Sequence, residues 1–316
     1  MAAAGGAKFP LLKYLDELVH ELRQLVGDAI KGEDEDAVHD ARVATRRLKA
    51  ATRLLDPLLS ARCRKPFDKI TRTLRKQLGP LRDTDVMLEH LGELPAAHLQ
   101  DARHWLKNRL TERRSAAVSK ARQNAPPSRV LAKLGTWWGL QREIADAPDQ
   151  IDRLLAESVH LQLDAFAQRA NDHAHGDPHA LRIAGKSLRY TLEMARHHGV
   201  KIPASVLRTF KGMQTSLGLW HDYVVLAQCT LEEVVECDLA LHDLKLADQV
   251  ANLARTSYRK AERQLKKMAD MWSNRGEELC LQIRQAFPLS TPGEIAPSEK
   301  TAESSENAAQ SKLAVS

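Results

Sequence analysis

Three features that are scarce or missing narrow the class of protein. Cysteine occurs only four times in 316 residues and without a CxxC pair, so we predict reduced thiols rather than a disulfide framework. No apolar run approaches the ~20 residues of a membrane span. The N-terminus also has no hydrophobic stretch of signal-peptide length. Together these absences predict a soluble, cytoplasmic protein.

Strand-forming patterns are also scarce. Aromatic residues make up 4% of the chain, and β-branched residues are sparse beside leucine and alanine. Apolar residues instead recur at helical spacing, which predicts an all-α fold. The expected helices span 10–31, 36–59, 65–93, 96–124, 149–172, 178–198, 203–237 and 241–286.

Positive charge, by contrast, is in excess. The formal net charge is +6 and the sequence pI is near 9.1, so we expect an anionic partner. Residues 288–316 are rich in Ser, Ala, Pro and Glu and carry four glutamates against two lysines. This tail has too little apolar content to offset the entropy of ordering, so we predict that it is disordered, as we also do for residues 1–9.

A row of cationic side chains occurs twice. The segment HDARVATRRLK at residues 39–49 reappears as HALRIAGKSLR at residues 179–189. In each, a chargeable side chain stands at positions i, i+3, i+7 and i+10, which fall within an arc of roughly 80° on a helix. These two stripes predict a repetitive polyanion as ligand. They consist of His39, Arg42, Arg46 and Lys49, with Arg47 beside them, and of His179, Arg182, Lys186 and Arg189.

The repeat extends beyond the stripes. The motif LGPLRD at 78–83 matches LGLWHD at 217–222. A repeat of this length predicts two tandem, pseudo-symmetric four-helix bundles at 10–124 and 149–287, joined by a connector at 125–148. We expect the motif to be architectural, and its polar residues to support the site: Arg82, Asp83, His221 and Asp222.

Each striped helix also has an apolar face, about 160° to 180° from its cations. This face comprises Ala44, Leu48, Ala51 and Leu55 in the first unit and Ala184, Leu188, Thr191 and Ala195 in the second. We therefore expect the stripe cations, Arg42 and Arg182 among them, to point away from the core into a shared groove. The third helix of each unit supplies further cations expected to face that groove: Lys69, Arg72, Arg75, Lys76, Arg208 and Lys211.

These motifs together resemble the CHAD family, the conserved histidine α-helical domain. Residues 38–48 are similar to its first signature, residues 188–190 with Glu193 to its second, and the two LG motifs to its third-helix motifs. The resemblance covers residues 10–287. It implies two four-helix bundles around a basic central cavity, binding of inorganic polyphosphate through the stripe residues, and association with polyphosphate granules. Ser187 and His221 replace cations of the first unit, so the second half is expected to bind less tightly.

Two other functions remain open. Nucleic acid could occupy the same groove, although no aromatic residue accompanies the first stripe and only Tyr190 adjoins the second. An enzyme acting on polyphosphate or a phosphate ester would need a carboxylate cluster or an activated nucleophile, and neither is evident. The histidines at 173, 175 and 179 lack the companion ligands of a metal site. We therefore predict a stand-alone binding module without catalytic residues, cofactor or metal.

Overall fold

The computed structural model describes residues 9–32, 34–95, 98–172 and 176–289, and these residues form helices and no strand. The predicted all-α class is confirmed. Most of both segments predicted to be disordered, as well as His173 and His175, lie outside the described residues. The helices are α1 (Pro10–Lys31), α2 (Glu35–Leu54), α3 (Ala61–Gln77), α4 (Gly79–Glu93), α5 (Gln100–Asn124), α6 (Pro127–Leu134), α7 (Trp137–Ala145), α8 (Ile151–Asn171), α9 (Pro178–His198), α10 (Ala204–Glu236), α11 (Leu239–His242) and α12 (Leu244–Ala286).

Local signals set the start of both striped helices, α2 and α9. The Asp34 carboxylate accepts hydrogen bonds from two backbone N–H groups in the first turn of α2, and Asp177 accepts one from the His179 N–H at the start of α9. Both are standard N-caps, which satisfy donors that have no partner inside the helix. The preceding helix α1 ends at Gly32 and α9 ends at Gly199, both at positive φ, where glycine is favoured.

The prediction of one helix over 65–93 was wrong, because the chain breaks into α3 and α4 at Leu78. Pro80 lies two residues after Leu78. Proline has no N–H to continue the helical hydrogen bonds, and its ring clashes with the preceding turn. The matching position in the second half is Leu219, and there the helix α10 runs without a break.

The end of α2 and the connector also differ from the sequence-based expectation. Helix α2 ends at Leu54, before a short 3-10 turn containing Pro57, rather than extending to 59. The connector at 125–148 contains α6 and α7. Of its two tryptophans, Trp137 is buried against the Phe67 ring and donates to Asp16 at 2.7 Å, whereas Trp138 is 69% exposed.

Helices pair within each half, and each half also packs against the other. Helices α1 and α2 contact α9, and helices α4 and α5 contact α10 and α12. One large hydrophobic core spans α1, α2, α3, α8 and α9 and includes residues of α5, α6, α7, α10 and α12. A second, smaller core lies between α4, α5, α10 and α12. The division into two tandem bundles stays a prediction. None of the described helices has both the length and the apolar character needed to cross a membrane.

Candidate anion-binding site

A cavity of about 430 Å³ lies between helices α2 and α4 of the first half and helices α9 and α10 of the second. We call it the α2–α9 cavity. Six lysine and arginine side chains line it, against two aspartates. The basic, acidic and histidine residues of its lining are His39, Arg42, Arg46, Arg82, Asp83, Arg182, Lys186, Arg189, His221 and Asp222.

Arg42 is built into the wall of this cavity. It is only 6% exposed, and it donates to the backbone carbonyl of Arg75 at 3.0 Å and to Asp83 at 3.4 Å. Burial lowers the pKa of its guanidinium to about 10. A Cβ at Gly79 would lie 3.0 Å from Arg42 Nη1, so the glycine leaves room for this side chain. Arg42 thus lines the cavity and is also a buried structural residue, because its guanidinium holds the end of α3.

The cations of α9 have fewer protein partners. Arg182 and Lys186 form no ion pair with an acid in the described part of the chain, and the buried Nε atoms of Arg182 and Arg189 have no hydrogen-bond partner. Burial, together with the nearby charges of Arg182 and Arg46, lowers the pKa of Lys186 to about 7. Burial likewise lowers the pKa of Arg182, with the charge of Asp222 opposing it. These side chains therefore repel one another inside a partly desolvated space.

Three histidines stand at or beside the same cavity. His39 and His221 line it, and the His179 ring lies 5.5 Å from the His221 ring, centre to centre. Burial lowers the pKa of His221 to about 4, with Arg182 adding to the effect. Burial and the Arg82 charge lower the pKa of His39. The lowered pKa values favour the neutral form of both rings near pH 7.

The structure separates the other sequence-predicted residues into three groups. Arg47 turns away from the cavity and pairs with Glu193 at 2.7 Å, where Glu193 also accepts from the Tyr14 hydroxyl. Three cations line a second, smaller pocket between α2 and α3: Lys49, Arg72 and Arg75. The remaining four are exposed and line neither space: Lys69, Lys76, Arg208 and Lys211.

Two of the polar lining residues, Gln214 and Tyr190, were not among the predicted ones. Gln214 lines the α2–α9 cavity and its Nε2 atom is buried without a hydrogen-bond partner. A Cβ at position 185 would overlap this amide, so Gly185 makes space for it. Gln214 is the counterpart of Arg75 in the internal repeat. This correspondence is the sequence signal that could have identified Gln214 as a site residue. Tyr190 is 7% exposed, and the Arg189 guanidinium lies over its ring, 5.1 Å from the centre.

Taken together, the fold and site define an all-helical protein with an internal repeat and a cavity of largely unpaired cations. The sequence profile of the CHAD domain matches residues 13–231, which is more than half of the chain. The chain therefore belongs to the CHAD domain family.

Solved structures agree with this assignment at the level of the fold. The crystal structure of the CHAD domain from the plant Ricinus communis has 21% sequence identity and a TM-score of 0.56, covering 91% of this chain and 94% of that chain. PptA from Streptomyces chartreusis has 17% identity and a TM-score of 0.54, covering 82% of this chain and 99% of that chain. A search of curated protein sequences finds no significant match.

Proposed function

We propose that this protein binds inorganic polyphosphate in the α2–α9 cavity and does not turn it over. One observation carries the proposal: six lysines and arginines from both halves converge on one space that holds only two aspartates. Binding would direct the protein to polyphosphate granules in the cytoplasm. Membership of the CHAD domain family supports the proposal, because the resemblance to that family implies polyphosphate as the ligand.

The electrostatics of the cavity favour a polyanion as ligand. Burial, and then the charges of the neighbouring cations, raise the free energy of charged Lys186, and together they lower its pKa to about 7. An anion with closely spaced negative charges would relieve this repulsion and favour the protonated form of Lys186. Arginine adds planar forks that match phosphate oxygens, and each charge-assisted hydrogen bond contributes roughly 1.5–3 kcal/mol.

The wall of the cavity favours polyphosphate over single-stranded nucleic acid. Base recognition normally uses exposed aromatic faces as stacking platforms. Tyr190 is the aromatic residue among the lining residues, and Arg189 already covers its ring. The lining can therefore bind phosphates but offers no ready surface for a base.

The acidic residues of the cavity support binding rather than hydrolysis. Asp83 pairs with Arg42, and Asp222 lies 4.0 Å from the buried His90. Metal-assisted attack on a phosphoryl group would need several ligands around one point. Within the described ranges, no three His, Cys, Asp or Glu side chains form such a group.

Titration calorimetry with long-chain polyphosphate tests the proposal. Replacing Arg46 and Lys186 with alanine should lower affinity by roughly 100-fold or more, since two charge-assisted contacts are lost. The matched control is Arg208→Ala with Lys211→Ala, which removes the same charge from exposed positions outside the cavity. Equal losses in both variants, or no binding by the unmodified protein at low salt, would refute the proposal.

Competition and turnover assays separate the alternatives. We expect RNA or DNA at equal phosphate concentration to leave bound polyphosphate in place. Displacement at parity would show that the cavity does not select polyphosphate. Release of inorganic phosphate by purified protein, abolished in the Arg46→Ala/Lys186→Ala variant, would instead indicate an enzyme.

A further inference from the structure

A second basic pocket lies on the first half of the molecule, between α2 and α3. It has a volume of about 210 Å³ and is separate from the α2–α9 cavity. We call it the α2–α3 pocket. Five of its lining residues are cations and two are aspartates: Lys49, Arg53, Arg64, Arg72 and Arg75, with Asp56 and Asp68.

The two aspartates are already engaged by one of the five cations. Arg64 pairs with Asp56 and lies 3.8 Å from Asp68. Asp68 also accepts a hydrogen bond from the Thr52 hydroxyl at 2.8 Å. The other four cations form no ion pair within the described part of the chain. The pocket therefore carries positive charge that its own acids do not neutralise.

These remaining cations act on one another. Burial lowers the pKa of Lys49, and the charges of Arg75, Arg53 and Arg72 lower it further, with Asp68 opposing them. Burial and the charges of Arg46 and Arg72 lower the pKa of Arg75. One side-chain nitrogen of Arg75, Nη1, is buried without a hydrogen-bond partner. An anion placed in the pocket would relieve the repulsion among these cations.

Arg75 connects this pocket to the α2–α9 cavity. Its side chain lines the pocket, while its backbone carbonyl accepts the hydrogen bond from Arg42, which lines the cavity. Arg46, another cavity residue, lies close enough for its charge to lower the pKa of Arg75. Positive charge therefore continues from one space to the other along α2.

We infer that the α2–α3 pocket is a second phosphate-binding subsite, which takes the part of a polyphosphate chain that extends beyond the α2–α9 cavity. The inference rests on the proposed function and deepens it. With two subsites the protein distinguishes polyphosphates by length, because short chains bind in the cavity alone and long chains contact both spaces.

The second half offers no matching extension. Glu193 is the counterpart of Arg53 in the first half. It forms an ion pair with Arg47 and accepts a hydrogen bond from the Tyr14 hydroxyl. Gln214 stands where the first half has Arg75. A long chain is therefore expected to leave the cavity on the α3 side.

A chain-length series tests the inference. The variant Lys49→Ala/Arg72→Ala removes two exposed cations from the pocket and leaves the cavity lining intact. The control is Arg208→Ala/Lys211→Ala, which removes the same charge from exposed positions of the second half, where Lys211 is the counterpart of Arg72 in the repeat. Each is compared with the unmodified protein by calorimetry, using tripolyphosphate and long-chain polyphosphate, with thermal melts to verify folding.

We expect the pocket variant to bind tripolyphosphate as the unmodified protein does. Its affinity for long-chain polyphosphate should fall roughly tenfold, the effect of about one charge-assisted contact in a partly exposed site. The control should change neither affinity by more than about threefold, since distant exposed charges are screened. Arg53→Glu, which copies the second half, should reproduce the selective loss.

Two outcomes would overturn the inference while leaving the proposed function in place. Equal loss for short and long chains would make the pocket part of the primary site. No loss at either length would mean that the ligand does not reach it. Absence of polyphosphate binding by the unmodified protein is a different result, and it would refute the proposed function itself.

Discussion

The two striped helices have the same spacing of cations but use them differently. On α2, Arg42 is buried and holds the carbonyl of Arg75 as well as Asp83. On α9, the matching Arg182 has a buried Nε without a partner, and its strongest acidic influence is the charge of Asp222. A repeat that is plain in the sequence therefore supplies one cation with a structural role and one that is available to a ligand.

The difference originates in the neighbouring helices. Pro80 interrupts the first half between α3 and α4, which leaves carbonyls at the end of α3 in need of donors. Arg42 supplies one of these donors. In the second half α10 is continuous through the matching position, so its carbonyls are used within the helix and Arg182 has none to bind. One proline thus changes the role of an arginine on another helix.

Breaking α10 at the matching position should give the largest effect. Leu219→Pro introduces the proline of the first half and should destabilise the protein by about 3 kcal/mol or more, because a helix-interior proline removes a hydrogen bond and clashes. Urea unfolding followed by circular dichroism measures this change. Leu219→Ala is the control for loss of the side chain alone, and equal losses in the two variants would show that the continuity of α10 is unimportant.

The two matched arginines should differ in their effect on stability. Arg42→Ala should lower the free energy of unfolding by about 2 kcal/mol, because it leaves a backbone carbonyl and an aspartate without their donor. Arg182→Ala should leave it unchanged or raise it, since one source of repulsion is removed. Urea titration of both variants measures the difference, and equal destabilisation would contradict the asymmetry.

The pH dependence of polyphosphate binding should follow the protonation of Lys186, whereas its counterpart in the first half, Arg46, stays charged. The pKa of Lys186 is about 7 in the free protein, and a bound polyanion should raise it. Binding above pH 7 then requires uptake of a proton, so affinity should fall with rising pH by up to about tenfold per unit. Calorimetry in buffers of different ionisation enthalpy counts the protons.

Lys186→Arg is the control for this linkage, because arginine stays charged throughout the range. The variant should bind with a flat pH profile between pH 7 and 9, the range above the Lys186 pKa of about 7. His39 and His221 have lowered pKa values in the free protein, so they are the other groups of the cavity that a bound anion could protonate. An unchanged slope in Lys186→Arg would assign the proton to another group.

The caps of the two striped helices provide the smallest effect and the closest agreement between halves. Asp34→Ala and Asp177→Ala should each destabilise the protein by about 1 kcal/mol. The Asp34 variant should lose slightly more, because this carboxylate accepts two backbone hydrogen bonds and Asp177 accepts one. Thermal melts of both variants test this, and a large difference would mean that the two helices do not start in the same way.

Local features were predictable from the sequence. The helical period and the spacing of the stripes predicted the bounds of α9 and the start of α2 closely, although α2 ends earlier than expected. The repeat also placed cations of both halves on corresponding faces. These features depend on residues within a few turns of one another, so a single chain segment contains the information for them.

Which cations share a space was decided by tertiary structure. Arg47 pairs with Glu193, Lys49 lines the α2–α3 pocket, and Arg42 is buried, although all three belong to the same helix. Helical geometry sets the direction of each side chain about its own axis. Burial, ion pairing and the resulting charge depend on helices brought alongside by packing, and those neighbours are far away in the sequence.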